Sequence, residues 1–125
     1  MPKSVYQSMI QADGLASDQT IYLDKIPVGR VAIIESFTAY TYTTVIGDYE
    51  TAKNIYVGFE HEGEVFYVEA VHRFAADSKQ NIVAAGKTII LNEGDRLCAT
   101  FKATATTTTH KLVATGWLID KADLK

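Results

Sequence analysis

The stretch that decides the fold is residues 30–44, Arg30-Val31-Ala32-Ile33-Ile34-Glu35-Ser36-Phe37-Thr38-Ala39-Tyr40-Thr41-Tyr42-Thr43-Thr44. It holds no Gly or Pro and is dense in β-branched and aromatic residues, which fit a pleated, half-buried surface, so it reads as one long strand. Side chains alternate between the two faces of a strand. Val31 and Ile33 share one face, while Ile34, Ser36, Thr38, Tyr40 and Tyr42 share the other. The apolar phase slips near Glu35-Ser36. One extra residue in one strand of a pair does this, so a β-bulge is expected there.

The neighbouring segments repeat the β signal. Upstream, Thr20-Ile21-Tyr22-Leu23-Asp24 is β-rich and closes at a Pro27-Val28-Gly29 turn. Residues 1–19 are polar and mixed, with a turn at Ala12-Asp13-Gly14. They read as a short strand over residues 5–10 followed by a loop, or as an extended arm. Downstream, residues 45–53 read as a loop. Ile55, Val57 and Phe59 then alternate with Tyr56, Gly58 and Glu60, and Glu62-Gly63 makes a hairpin turn into residues 65–71. In that segment Tyr67, Val68, Val71 and Phe74 also fit helical spacing, but the preceding hairpin turn favours a strand.

Short strands follow at 81–84 and 88–91, then a tight turn at Asn92-Glu93-Gly94-Asp95. Leu97, Ala99 and Phe101 point inward from the next strand, with Cys98 and Thr100 on its other face. Residues 104–109 read as a loop or an exposed continuation, and residues 111–119 as the last strand. About eight strands separated by turn signals predict an all-β fold, an antiparallel two-sheet β-sandwich with jelly-roll-like connections. The expected division is an N-terminal arm or first strand at 1–19, the sandwich at 20–120 and a polar tail at 121–125.

Bulk properties narrow the function. The chain has 125 residues, which argues for one domain. Twelve basic against fifteen acidic residues give a formal charge of −3, no footprint for a nucleic-acid backbone or an anionic membrane. Neither is expected as a partner. No apolar run approaches the ~20 residues that span a bilayer, and the first residues carry no long apolar segment, so no secretory signal is read there. The single cysteine, Cys98, has no internal disulfide partner, so stability is expected from packing or from partner subunits.

The residues able to carry chemistry do not assemble into a known pattern. His61, His72 and His110 include no His-x-His pair of the kind a cupin metal site uses, and His61 falls at a predicted turn facing solvent. Glu60, Glu62, Glu64 and Glu69 surround the predicted hairpin, where alternating charge protects an edge strand more readily than it forms an acid–base pair. Asp48, Glu50 and Asp95 lack calcium-loop spacing. Cys98 sits mid-strand as an inert packed or interfacial thiol, no serine lies in a nucleophile-elbow context, and no Gly-rich phosphate loop is present. No catalytic residue, metal ligand or cofactor is assigned, and an enzyme is not expected. The aromatics say more: Tyr40, Tyr42 and Tyr56, with Tyr49 in the loop, would form a tyrosine-rich patch if left uncovered. Such a patch suits a protein interface or stacking on sugar rings.

Several phrases fall in a familiar order. Thr20-Ile21-Tyr22-Leu23 leads to Ile26-Pro27-Val28-Gly29-Arg30 and Val31-Ala32-Ile33-Ile34-Glu35-Ser36-Phe37-Thr38. Later come Leu91-Asn92-Glu93-Gly94-Asp95-Arg96-Leu97 and Ala114-Thr115-Gly116-Trp117-Leu118-Ile119. The pattern resembles the small jelly-roll structural proteins of tailed-phage virions, over residues ~20–119. The long Tyr-rich strand and the loop after Thr44 depart from it. The resemblance implies a capsid decoration (cement) protein assembled in the host cytoplasm. Its partners would be itself, as a homotrimer, and the major capsid protein or other virion subunits. A tail, neck or baseplate accessory is the alternative, and a carbohydrate-binding module the alternative of another class. Arms, loops and exposed tyrosines would make the contacts, which singles out Val5, Tyr6, Met9, Tyr40, Tyr42, Ile46, Tyr49 and Tyr56.

Overall fold

In the computed structural model, which describes residues 4–14, 18–43, 54–72, 80–102 and 108–123, the deciding stretch becomes β3 (Arg30–Thr43). It pairs antiparallel with β9 (Thr108–Asp120), and the register steps between Ile34 and Ser36, leaving Glu35 as the bulged residue. Ala32 and Ile34 are buried before the step, and Phe37, Ala39 and Thr41 after it. The bulge therefore moves the core face from even to odd positions, as the slipped apolar phase requires.

The remaining strands are β1 (Ser4–Asp13), β2 (Gln19–Tyr22), β4 (Asn54–His61), β5 (Glu64–His72), β6 (Gln80–Ala85), β7 (Ile89–Leu91) and β8 (Arg96–Lys102). A single 3-10 turn, Lys121–Asp123, follows β9. One sheet runs β1-β9-β3-β6 with β7 also on β3, and the other runs β2-β8-β4-β5. β6 pairs residues 37–42 of β3 and β7 pairs residues 32–34, so the two share one strand position interrupted at 86–88. Counted that way, first pairs with last, second with seventh, third with sixth and fourth with fifth. This is one long hairpin rolled into two sheets, the jelly-roll path.

Three expectations are sharpened. Residues 4–13 form a full strand, since β1 pairs with β9 in unbroken register over all ten residues. Residues 65–71 lie in β5, a strand rather than a helix. Its hairpin turn has Glu62 at φ 51° and Gly63 at φ 83°, the left-handed pair that a two-residue hairpin turn requires. The expected 45–53 loop lies outside the described residues.

Between the sheets lies the core, in which Tyr6, Ile21, Ile34, Phe37, Ile55, Val57, Leu91, Leu97, Phe101 and Leu112 are buried together. Each such side chain contributes on the order of 2 kcal/mol by leaving water. One end of the interior is polar. Thr41, Thr108 and His110 are buried there, and His110 is wholly inaccessible. The reason is parity: Leu112 and Ala114 point inward from β9, and Thr108 and His110 keep their phase. The imidazole stacks on Phe101 at 4.2 Å, its Nδ1–H donates to Gln19 Oε1, and Nε2 accepts from Thr108 Oγ1 at 3.1 Å. Burial lowers its pKa from the usual 6.5 to about 4.

Candidate interface

Strand register assembles the outer face of the five-stranded sheet. Val5 on β1 faces Trp117 on β9, Trp117 faces Ile33 on β3, and Ile33 faces Ile90 on β7. An apolar row thus crosses four strands, with Val5 65% and Ile90 63% exposed at its ends. A second row begins with Met9, 60% exposed, beside Val113. Two groups fix the centre of the first row: Trp117 Nε1–H donates to Glu35 Oε1 at 3.1 Å, and the hydroxyls of Ser36 and Thr115 bond at 2.7 Å. The bulge therefore turns Glu35 outward, where it orients the indole.

The predicted contact residues separate in three dimensions. Val5 and Met9 lie on this face, but Tyr6 turns inward and is 8% exposed, which removes it as a surface contact. Tyr40 and Tyr42 stack on each other at 5.6 Å on the same face, with Lys111 Nζ 5.8 Å from the Tyr40 ring. Tyr56 is on β4, in the other sheet, whose outer face points the opposite way. The single tyrosine patch read from the sequence is thus two patches. Ile46 and Tyr49 lie outside the described residues. Sequence reading missed Ile33, Ile82 and Ile90; alternation along residues 88–91 carries the signal for Ile90, because Leu91 is buried beside it.

The outer face of the four-stranded sheet is a bonded polar and aromatic layer. Glu60 takes both Arg96 Nε at 2.9 Å and Nη2 at 3.2 Å, and the guanidinium lies 3.9 Å over the Tyr22 ring. These bonds hold the Glu60 carboxyl below its usual pKa. Thr100 accepts or donates to both Thr20 at 2.8 Å and the Tyr67 hydroxyl at 2.9 Å. Tyr67 also packs against Tyr56 at 5.4 Å. This layer explains why Cys98 and Thr100, placed on the outward face as expected, are nevertheless buried.

No protein-family model and no curated protein matches this chain. Among solved structures, the Eiger TNF from S. frugiperda has a TM-score of 0.46 at 11% identity, covering 100% of this chain and 98% of its own. The cyanophage Pam1 capsid asymmetric unit has a TM-score of 0.45 at 16% identity, covering 94% of this chain and 84% of its own. Likenesses this distant carry no information on partner or activity.

Several of the other chemistry-bearing residues are engaged structurally. His61 Nδ1 lies 2.7 Å from Asp95 Oδ1, and the almost buried Asp95 also accepts the Asn92 N–H at 3.0 Å. The pair ties the β4–β5 hairpin to the turn before β8, and the hydrogen bond to Asp95 raises the histidine's pKa. Glu69 pairs with Lys87 at 3.3 Å, so Glu60 and Glu69 answer different cations. Among the described residues, no three His, Cys, Asp or Glu side chains converge as metal ligands. Asp48 and Glu50 lie outside them.

Burial pushes the Cys98 thiol up to about 11. At pH 8 the native chain should therefore react with a disulfide reagent at least ~100-fold more slowly than the urea-unfolded chain. Equal rates would show that β8 is open at its outer face.

Proposed function

We propose that this chain is a virion structural protein of a tailed phage, of the capsid-decorating kind, and not an enzyme. The observation that carries the reading is the apolar row Val5–Trp117–Ile33–Ile90 across the outer face of one sheet, half-buried at its centre and exposed at both ends. A soluble monomer seldom leaves such a row uncovered, whereas a subunit that seals a junction between shell proteins buries it. The jelly roll supplies a rigid, flat support for the row, and the order of the turn and strand phrases supports the virion setting. The work would be mechanical: apolar surface buried across neighbouring subunits, with no bond made or broken.

The test is composition. Particles purified on a gradient are analysed for the copy number of this chain relative to the major shell protein. Hundreds of copies are expected for a decoration protein. A dozen to a few dozen would assign it to the neck or tail, and absence from particles would overturn the virion reading. In that last case, quenching of tyrosine or Trp117 fluorescence by soluble glycans would support a sugar-binding module instead.

A further inference from the structure

The four edge positions of the two sheets are not alike. β2 is only four residues long. The β6–β7 edge is interrupted at 86–88. β5 carries Glu64 and Glu69 and an extra residue, Val68, where its register with β4 steps, and Lys87 Nζ caps the Val68 carbonyl at 3.2 Å. Short length, breaks, charge and bulges are the means by which proteins keep sheet edges from pairing. β1 has none of them. It runs ten residues in unbroken register with β9, without Pro and without charge before Asp13. Its ends are tied, by Arg30 Nη2 to Ser4 Oγ at 2.9 Å and by Gln19 Nε2 to the Asp13 carbonyl at 3.1 Å.

We propose that the edge of β1, unpaired among the described residues, pairs antiparallel with β1 of a second copy, about a two-fold axis through Gln7. Antiparallel partners must point to the same side of the sheet, so only registers whose partner numbers sum to an even value keep both core faces inward. Centring on Gln7 sets Val5 against Met9 of the second copy, Met9 against its Val5, and Gln7 against its Gln7. The two most exposed apolar side chains of β1, at 65% and 60%, then cover each other on either side of a neutral amide pair. On the other side, Tyr6 meets Ser8 and Ser4 meets Ile10, which brings no like charges together. The pairing also joins the apolar row of one copy to the Met9–Val113 row of the next, making one continuous band. An isologous contact of this kind gives a dimer, where the phage resemblance implies a trimer. It is a property of the chain itself and holds whether or not the virion reading does.

The test uses the purified full-length chain. Sedimentation should give a dimer that Gln7→Lys, which sets two ammonium groups face to face on the axis, converts to a monomer with unchanged circular dichroism. Gln7→Cys should oxidise to a disulfide-linked dimer, because Cα atoms of directly opposed residues, about 4.5–5.5 Å apart, lie within disulfide reach. Gln11→Cys, whose opposite number would be residue 3, should not, and the buried Cys98 of the unaltered chain should not either. A monomeric native chain, a trimer in which Gln7→Cys fails to link, or equal linking at positions 7 and 11 would each overturn the proposal.

Discussion

Gly116→Ala should cost on the order of 3 kcal/mol and lower the melting temperature by roughly 10 °C, with Gly58→Ala close behind. A Cβ at Gly116 would stand 1.9 Å from the Ile33 carbonyl oxygen and 2.9 Å from Ile34 Cα. At Gly58 it would stand 1.9 Å from the Phe66 oxygen and 2.7 Å from Tyr67 Cα. All of these are backbone atoms, so no side-chain rotation relieves the overlap and the strands must part. The cause is shared. Each glycine sits directly across from a bulge: Gly116 pairs with Ile34 just before the step in β3, and Gly58 pairs with Tyr67 beside the step in β5. A bulge pushes the partner strand's backbone into the space a Cβ would fill. Gly86→Ala is the control. Nothing lies within 4 Å of its Cβ position and its φ is not left-handed, so it should be neutral or slightly stabilising. Urea titration of the three variants checks the order, and equal stability of all three would refute the role given to the bulges.

The second large effect is acid lability. His110 has its pKa lowered from 6.5 to about 4 by burial, so between these values the unfolded chain binds a proton that the folded chain does not. Stability from this group is complete above pH 6.5 and is lost as pH falls toward 4, by roughly 3 kcal/mol in total. Glu60, Glu69 and Glu93, whose pKa values are lowered by their hydrogen-bond partners, add losses of the same sign only below about 4.5. His61 acts oppositely. Its raised pKa gives stability below 6.5 that is lost as pH rises through the folded value. Stability should therefore peak near pH 6.5. His110→Gln keeps an amide able to donate to Gln19 but does not titrate, so it should flatten the slope between pH 4 and 6.5. Denaturant midpoints across that range decide the matter, and an undiminished slope in the variant would place the acid sensitivity elsewhere.

Much of the architecture was legible because its signals are local. Alternation marked the strands, Glu62-Gly63 and Asn92-Glu93-Gly94-Asp95 marked their turns, and the slipped phase near Glu35-Ser36 pointed to the bulge. The Gly of Thr115-Gly116-Trp117 was visible as part of a phrase, but the reason for it was not, because the obstructing carbonyl belongs to Ile33, more than eighty residues away in the chain. The tyrosines show the same limit. Tyr40, Tyr42 and Tyr56 each point outward from their strands as alternation requires, yet β3 and β4 enter different sheets, so the outward directions oppose.

By itself, then, the sequence determined most of the strands, the main turns and the apolar side of the long strands, since backbone preference and side-chain alternation act between near neighbours. Tertiary structure alone decided which strands lie side by side. That pairing buried His110, turned Tyr6 into the core, aligned Val5, Trp117, Ile33 and Ile90 into one row, and left β1 as a long sheet edge. Each of these is set by contacts between residues far apart in the chain, whose partners are fixed only when the rolled hairpin closes.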